Sequence, residues 1–314
     1  MAEINLVEAV NLALAHELAR DEAVVLLGED IGANGGVFRA TAGLQQRFGA
    51  GRVVDTPLAE TAIVGTAIGM AAMGLKPVAE IQFSGFLYPA IDHLINHAAR
   101  LRNRTRGRLT CPLVVRTPCG GGIHAPEHHS ESPEAMLAHT PGLRVVMPSS
   151  PARAYGLLLA AIRDPDPVMF LEPTRMYRLF RQEVVDDGEA LPLDVCFTLR
   201  GGTDLTLVSW GAMLHETQAA ADALAAEGIS AEVIDVATLK PLDLPTILES
   251  VARTAGLGAE IAASLAEEGL YSLLAPVQRV TGYDTVMPLS RLEYQYLPSV
   301  ERIVAAARKT LEAS

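Results

Sequence analysis

Short apolar runs of strand length alternate with longer helical patterns through the first half of the chain. The apolar runs place Val, Leu or Ile at consecutive positions, which is typical of strands buried on both faces of a parallel sheet. The predicted strands are 23–27, 77–81, 112–116, 144–147 and 167–171, and the predicted helices are Leu6–Arg20, Thr61–Gly74, Phe86–Arg104 and Pro151–Arg163. This alternation predicts βαβ units and an open α/β sheet.

A polar, turn-rich stretch between Tyr177 and Gly202 separates this region from a second α/β set. The second set has predicted strands at Asp204–Ser209, Ser230–Asp235 and Val277–Val280, and predicted helices at Met213–Glu227, near Pro245 and at Val300–Leu311. We therefore predict an α/β protein of two open, mostly parallel-sheet domains, residues 1–185 and residues 186–314, of which the second is smaller.

Composition and charge favour a globular protein and argue against several other classes. The 314 residues are 49% hydrophobic and 20% charged, which describes a globular chain long enough for two cores. The net charge of −12 argues against a nucleic acid or an anionic membrane as a partner. The sequence has no apolar run of the roughly 18 residues that span a bilayer, no signal-peptide pattern at its start, and three cysteines without a CxxC pair. We expect a cytoplasmic protein with reduced thiols.

The segment Asp55–Glu60 puts one carboxylate, Glu60, at the start of an apolar helix and just after a strand-like run. One interpretation is structural, because an acid in the first turn of a helix interacts favourably with the helix dipole. The other is that Glu60 belongs to a cofactor site. Composition alone does not separate the two.

Four histidines, His124, His128, His129 and His139, lie in and just after a loop that begins with the glycines 120–122. Zinc ligation is one interpretation, although the helical HExxH spacing is absent and adjacent histidines point apart in extended backbone. Solvated loop histidines are a second. A catalytic loop is the third, because the glycines let the backbone approach a ligand closely.

Seven motifs together resemble one family, the β subunits of the thiamine-dependent decarboxylase component of 2-oxo acid dehydrogenase complexes, with its pyruvate, branched-chain and acetoin members. The resemblance runs nearly from end to end. It is carried by Leu27–Asp30, Gly35–Phe38, Asp55–Glu60, Glu80–Phe83, His129–Glu134, Pro141–Val146 and Leu292–Pro298. It implies a pyrimidine-binding, transketolase-like first domain and a transketolase C-terminal-like second domain.

The resemblance also implies roles for single residues. Glu60 is expected to hydrogen-bond the aminopyrimidine of thiamine diphosphate, and an acid there favours the tautomer that deprotonates the thiazolium carbon. Phe86 is expected to pack against the pyrimidine ring, with Leu58 and Gln82 as further cofactor contacts. His129 is expected to act at the reacting carbon and to assist acyl transfer, a task suited to an imidazole near neutral pH.

A structural potassium ion is a further implication of the resemblance. Its expected ligands are backbone carbonyls and carboxylates around a turn, which suit a hard cation. The matching positions are Leu113, Ala161, Ile162, Asp164 and Asp166. Without the resemblance, residues 164–167 are equally well interpreted as a plain turn.

The diphosphate and magnesium motif of the family, Gly-Asp-Gly followed by an Asn pair, does not occur in this sequence. In the family that motif belongs to a separate α chain. We therefore expect Mg²⁺ to be held mainly by an α subunit, thiamine diphosphate to be shared in an α2β2 heterotetramer, and acyl groups to pass to a lipoyl-bearing acyltransferase. The 2-oxo acid itself, pyruvate or a branched-chain acid, is left open.

Two further features bear on this interpretation. After Thr254 the family normally continues into a turn, an apolar strand and an acidic segment, whereas here Ala255–Gly258 follows directly, so the second domain is expected to lack a strand.

The arginines at 100, 102, 104, 106 and 108 suit a helix C-terminus, with a subunit contact as the alternative. The competing functional hypotheses are an acetoin dehydrogenase subunit, a non-catalytic assembly subunit and a metal-dependent hydrolase.

Overall fold

The computed structural model describes residues 2–251, 259–268, 273–283, 287–288 and 291–313. They form two compact units. The first reaches to Leu193 and includes Leu239–Pro241, and the second comprises Asp194–Thr238 and the residues from Leu242 onward.

The helices and strands alternate as the hydrophobic pattern predicts. The strands are β1 Ala2–Ile4, β2 Val24–Gly28, β3 Val53–Asp55, β4 Lys76–Glu80, β5 Val114–Cys119, β6 Arg144–Val146, β7 Val168–Pro173, β8 Gln182–Val184, β9 Phe197–Arg200, β10 Leu205–Ser209, β11 Ala231–Asp235 and β12 Thr238–Lys240. The α-helices are α1 Leu6–Arg20, α2 Leu44–Phe48, α3 Glu60–Ala72, α4 Leu101–Arg104, α5 Glu134–Ala138, α6 Pro151–Arg163, α7 Met213–Ala226, α8 Leu244–Val251, α9 Ala259–Glu268, α10 Glu293–Tyr296 and α11 Val300–Glu312.

A seven-stranded sheet in the order β12-β6-β7-β5-β4-β2-β3 forms the core of the first unit. The pairings from β6 to β3 are all parallel, and every residue of β2, β5 and β7 is buried. Helices α1 and α6 pack against each other. Both begin and end at the predicted residues, since each has a side-chain cap: Asn5 and Glu8 form a capping box, and Ser150 accepts from the N–H of Arg153.

The prediction of one continuous α-helix over Phe86–Arg104 is wrong. The structure has a 3₁₀ turn over Ser84–Ala90, a π-helical turn over His93–Ala98, and the short helix α4. Pro89 lies inside the first of these and has no N–H to donate, which removes one hydrogen bond of a continuous α-helix. The segment therefore changes direction close to Phe86.

The second unit has a three-stranded sheet in the order β10-β11-β9, with β10 and β11 parallel and β9 antiparallel to β11. Its core includes buried residues of β10, β11, α7 and α11, and Val280 packs against this core. The predicted strand Val277–Val280 is wrong, because residues 276–283 form no strand although Val280 is apolar. The strand expected to be lacking after Thr254 concerns residues 252–258, which lie outside the described part of the chain.

Across the described residues, the helices are all too short or too polar to cross a bilayer.

Candidate active site

Four parallel strands of the first unit deliver their following loops to one edge of the sheet. Strands β2, β3, β4 and β5 end at Gly28, Asp55, Glu80 and Cys119, and the sequence-predicted residues Leu58, Glu60, Gln82, Phe86 and His129 all follow these ends. In open α/β sheets, ligands bind outside the carboxyl ends of the strands. This edge is therefore the candidate site.

Asp55 holds two of these loops together. Its carboxylate accepts hydrogen bonds from the N–H groups of Gly32 at 2.6 Å and Ala33 at 3.3 Å. Leu58 follows in the same loop and is 70% exposed, although it is a large apolar side chain. Exposed apolar surface beside a polar site suits a ligand or subunit that covers it.

Glu60 is the first residue of α3, whose N-cap Ala59 makes no side-chain hydrogen bond. Its carboxylate is half-buried and lies close to Glu29, the residue after β2. Burial, with smaller contributions from Asp30 and Glu60, raises the pKa of Glu29 above its usual range. Glu60 therefore has an acidic neighbour as well as the helix dipole, and both interpretations of it are compatible with this geometry.

Two aromatic rings and two imidazoles form a cluster next to α3, which we call the aromatic cluster: Phe83, Phe86, His128 and His129. The ring centroids of Phe83 and His129 are 4.2 Å apart, and those of Phe86 and His129 are 5.4 Å apart, both edge-on. The two imidazoles are also 4.2 Å apart. Gln82 precedes the cluster and is half-buried.

Close backbone contacts hold the aromatic cluster in place. A Cβ added to Gly85 would lie 2.0 Å from the carbonyl oxygen of His128, so only glycine allows this approach. The hydroxyl of Ser84 donates to the carbonyl of Glu131 at 2.9 Å. The hydroxyl of Thr61, the second residue of α3, donates to the carbonyl of Pro89 at 3.0 Å. The start of α3, the 3₁₀ turn and the histidine loop are thus joined directly.

The imidazole of His129 is suited to chemistry at neutral pH. Its Nδ1 is buried and has no hydrogen-bond partner among the described residues. Desolvation, aided by His128, lowers the pKa of His129 below its usual value. The lowered pKa favours the neutral form of the imidazole, and a buried nitrogen without a partner is an incomplete hydrogen-bonding group.

The zinc interpretation of the histidine loop is not supported. In the described residues, three or more potential metal ligands converge only at Asp92, His93 and His97, away from that loop. His124 has a left-handed backbone with φ of 60°, and His139 is exposed at the end of α5. Of the loop histidines, His128 and His129 are those that meet in the aromatic cluster.

The predicted potassium ligands lie elsewhere, around the turn between α6 and β7. Ala161 and Ile162 end α6, and the Leu113 carbonyl accepts from Val168 at 2.9 Å. Asp164 Oδ2 pairs with Arg144 at 3.2 Å, and Asp166 Oδ1 pairs with Arg102 at 2.6 Å. The oxygen-rich donor set suits a hard cation, but both carboxylates already have arginine partners. The potassium site stays a prediction.

The sequence reasoning missed a buried charged network beneath the site. Arg116 of β5 donates two hydrogen bonds to Glu172 of β7, at 2.6 and 2.7 Å, and one to Glu80 of β4. The hydroxyl of Tyr177 also donates to Glu172. Burial raises the pKa of Glu80, and Arg116 counteracts this. The sequence signal that could have revealed this network is the presence of charged residues inside otherwise apolar strands.

The network connects to the aromatic cluster through one ring. Phe38 lies 5.0 Å from the ring of Tyr177 and 5.5 Å from the ring of Phe83, measured between centroids. The ring of Phe83 in turn contacts His129. Phe38 therefore links Tyr177, a member of the buried charged network, to Phe83, the ring that contacts His129.

Comparison with known proteins supports this description. Residues 2–179 match the family model "Transketolase, pyrimidine binding domain", and residues 196–303 match "Transketolase, C-terminal domain". The chain is similar to a solved "Split gene transketolase, inactive beta4 tetramer", with a TM-score of 0.78 and 24% identity over 99% of both chains. At that identity the likeness shows the fold, which is the two-unit α/β fold predicted from the sequence.

Two relatives are more similar in sequence. The "Pyruvate dehydrogenase E1 component subunit beta" of Acholeplasma laidlawii is 49% identical over 325 residues, covering 100% of this chain and 99% of that protein. The protein of the same name from Bacillus subtilis (strain 168) is 47% identical over 324 residues, covering 99% of this chain and 100% of that protein. Both alignments are longer than the 314 residues of this chain, so each leaves some residues of the relative unmatched. The chain belongs to the family of pyruvate dehydrogenase E1 component β subunits, a component of 2-oxo acid dehydrogenase complexes.

Proposed function

We propose that this chain supplies the pyrimidine half of a thiamine diphosphate site that oxidatively decarboxylates a 2-oxo acid and transfers the acyl group to a lipoyl disulfide. The observation that supports the proposal is that Glu60, Phe86 and His129 all follow the carboxyl ends of neighbouring parallel strands, with Phe86 and His129 in ring contact and the start of α3 bonded to the 3₁₀ turn. An acid, an aromatic ring and a neutral imidazole are the protein groups that this chemistry requires.

Each residue then has a defined task. Glu60 would hold the pyrimidine nitrogen and exchange a proton with it, and Phe86 would pack on the ring, with Leu58 and Gln82 alongside. Thiamine diphosphate, when bound, supplies the electron sink for loss of carbon dioxide. His129 would hold or deliver a proton at the reacting carbon through its imidazole, whose buried Nδ1 has no hydrogen-bond partner among the described residues. The domain assignment, 1–185 for pyrimidine binding and 186–314 as the C-terminal-like domain, is part of the same proposal.

A second chain is part of this proposal. The sequence lacks the diphosphate and magnesium motif, so Mg²⁺ and the diphosphate would be held by an α subunit in an α2β2 assembly. Helix α3 supports such a partner, because only Ile63, Val64, Ala67 and Ala71 of its apolar sequence are buried within this chain. An apolar helix with an exposed face is typical of a subunit interface. The proposal also includes a lipoyl-bearing acyltransferase that accepts the acyl group, and a K⁺ ion with a structural role.

The decisive experiment is activity of the co-expressed α/β pair with Glu60→Gln. This change keeps the shape of the side chain but removes its acid, so we expect turnover of pyruvate to fall by roughly 10²–10⁴-fold while assembly is unchanged. The control is Glu22→Gln, an exposed acid before β2 to which the proposal gives no role at the cofactor. Near-normal turnover of Glu60→Gln would refute the proposed role.

A non-catalytic assembly subunit is the competing function, and His129 separates it from the proposal. If the chain only completes an interface, His129→Ala leaves turnover intact in the reconstituted complex. If His129 works at the reacting carbon, the variant forms the complex and binds thiamine diphosphate but transfers acyl groups slowly. Assays with pyruvate, 2-oxoisovalerate and acetoin on the wild-type pair identify the substrate.

A further inference from the structure

Three potential metal ligands converge on the π-helical turn that follows Phe86. One nitrogen each from His93 and His97 and one oxygen from Asp92 lie within 4.8 Å of one another. The Ala99 N–H bonds to the carbonyl of Leu94, five residues earlier, which is the π-helical pattern. That wider turn brings Asp92 and His97 onto the same face as His93. Isolated π turns are rare and occur frequently at functional sites.

His93 is held in position before any ion binds. Its ring lies over Gly65 of α3, where an added Cβ would lie 2.9 Å from Cδ2 and 3.1 Å from Nε2. Its Nδ1 is buried without a hydrogen-bond partner among the described residues and lies 3.6 Å from Oδ2 of Asp92. An oriented imidazole with an unpaired nitrogen facing a carboxylate is half of a metal site.

The other two ligands are held more loosely. Asp92 Oδ1 accepts from the side-chain amide of Asn96 at 2.6 Å, which leaves Oδ2 directed at His93. His97 is exposed, and its Nδ1 is 3.4 Å from the guanidinium of Arg104. Tetrahedral zinc ligands stand roughly 3.4 Å apart at bond lengths of about 2.1 Å. Zinc ligation would require the exposed His97 and Asp92 side chains to rotate, and His97 would then leave Arg104.

We propose that Asp92, His93 and His97 form a binding site for a divalent transition-metal ion of the zinc type, with its fourth position open to water. Two imidazoles and one carboxylate favour zinc, cobalt or nickel over magnesium or calcium, which prefer oxygen ligands. The ion would make the π turn more rigid, and that turn packs against α3, the helix that begins at Glu60. The site is separate from the aromatic cluster and does not depend on the proposed function.

The test is metal binding by the co-expressed α/β pair, purified without a histidine tag and stripped with a chelator. We expect titration calorimetry with Zn²⁺, and the visible absorption of tetrahedral Co²⁺, to show one tight equivalent per β chain. His93→Gln should weaken that equivalent by more than the ~10–100-fold that loss of an outer-shell partner costs.

Two further variants keep the test decisive. His97→Gln removes an exposed ligand and should weaken binding without affecting the fold. His215→Gln removes an exposed histidine of α7 in the second unit and should leave binding unchanged. Equal affinity in the wild type and both ligand variants, or loss of the equivalent in His215→Gln, would overturn the proposal, as would the absence of a tight equivalent in the wild type.

Discussion

Replacing Arg116 with Met tests whether the buried charged network stabilises the first unit. Arg116 is 1% exposed, and its partners Glu80 and Glu172 are 5% and 0% exposed. The substitution keeps much of the side-chain volume but leaves two buried carboxylates without their cation. Breaking a buried ion pair by removing one partner costs about 3–5 kcal/mol. For a unit of this size we expect the melting temperature to fall by roughly 6–20 °C.

The loss should depend on pH in a defined direction. Burial already raises the pKa of Glu80, and removing Arg116 removes the main influence that lowers it. A carboxyl group whose folded pKa lies above its unfolded pKa stabilises the fold below the unfolded pKa, and that stability is lost as pH rises through the folded pKa. The deficit of Arg116→Met relative to wild type should therefore be larger at pH 8 than at pH 5.

Calorimetry of both proteins at the two pH values measures the effect, and the fluorescence of Trp210, the one tryptophan, reports separately on the second unit. Arg181→Met is the matched control, because its pair with Glu8 is exposed and should be worth less than about 1 kcal/mol. Adding Glu80→Gln and Glu172→Gln to Arg116→Met should recover most of the loss, since the network then contains no unpaired buried charge. A melting temperature of Arg116→Met within about 2 °C of wild type at pH 8 would refute the reasoning.

Two other predictions concern the aromatic cluster. Gly85→Ala should lower turnover of the assembled enzyme with little loss of α1 or α6 structure, because its Cβ would lie 2.0 Å from the His128 carbonyl oxygen and displace it. Gly51→Ala is the control, because a Cβ there meets nothing within 4 Å, and equal activity of the two variants would contradict the packing argument. In an NMR titration, His129 should have a midpoint below the ordinary histidine value of about 6.5, since desolvation lowers its pKa, and activity should fall as pH drops through that midpoint. His128→Gln should raise the midpoint, and a wild-type midpoint above 6.5 would show that His129 is not desolvated.

In the first unit, local sequence patterns correctly predicted the bounds of two helices and the presence of buried strands. The bounds of α1 and α6 follow from the sequence because apolar spacing defines the buried face and Asn5 and Ser150 cap the helices. The buried strands follow as well, since consecutive β-branched residues are stable only when both faces of a sheet are covered. Motif resemblance added the family, which the comparisons confirm. It also named site residues that still await experiment.

The predictions that were wrong failed because tertiary contacts, and not the local sequence, decide the structure of those segments. The segment Phe86–Arg104 has enough apolar residues for one helix, but packing on α3 and the missing N–H of Pro89 divide it. Val277–Val280 has the composition of a strand, yet a strand forms only where a neighbour pairs with it. Propensity is a property of a segment, whereas pairing is a property of the whole unit.

The sequence by itself determined the kinds of element, their order and the chemical types available: one acid at the start of α3, two phenylalanines after β4 and a pair of histidines after β5. Only the tertiary structure decided which of them meet. Parallel strands place their carboxyl ends on one edge, so the segments that carry Glu60, Phe86 and His129 all leave that edge although they are far apart in the chain. Burial likewise decided that the pKa of His129 is lowered and that Arg116 must be paired, because the energy of a charge depends on the surroundings that only folding supplies.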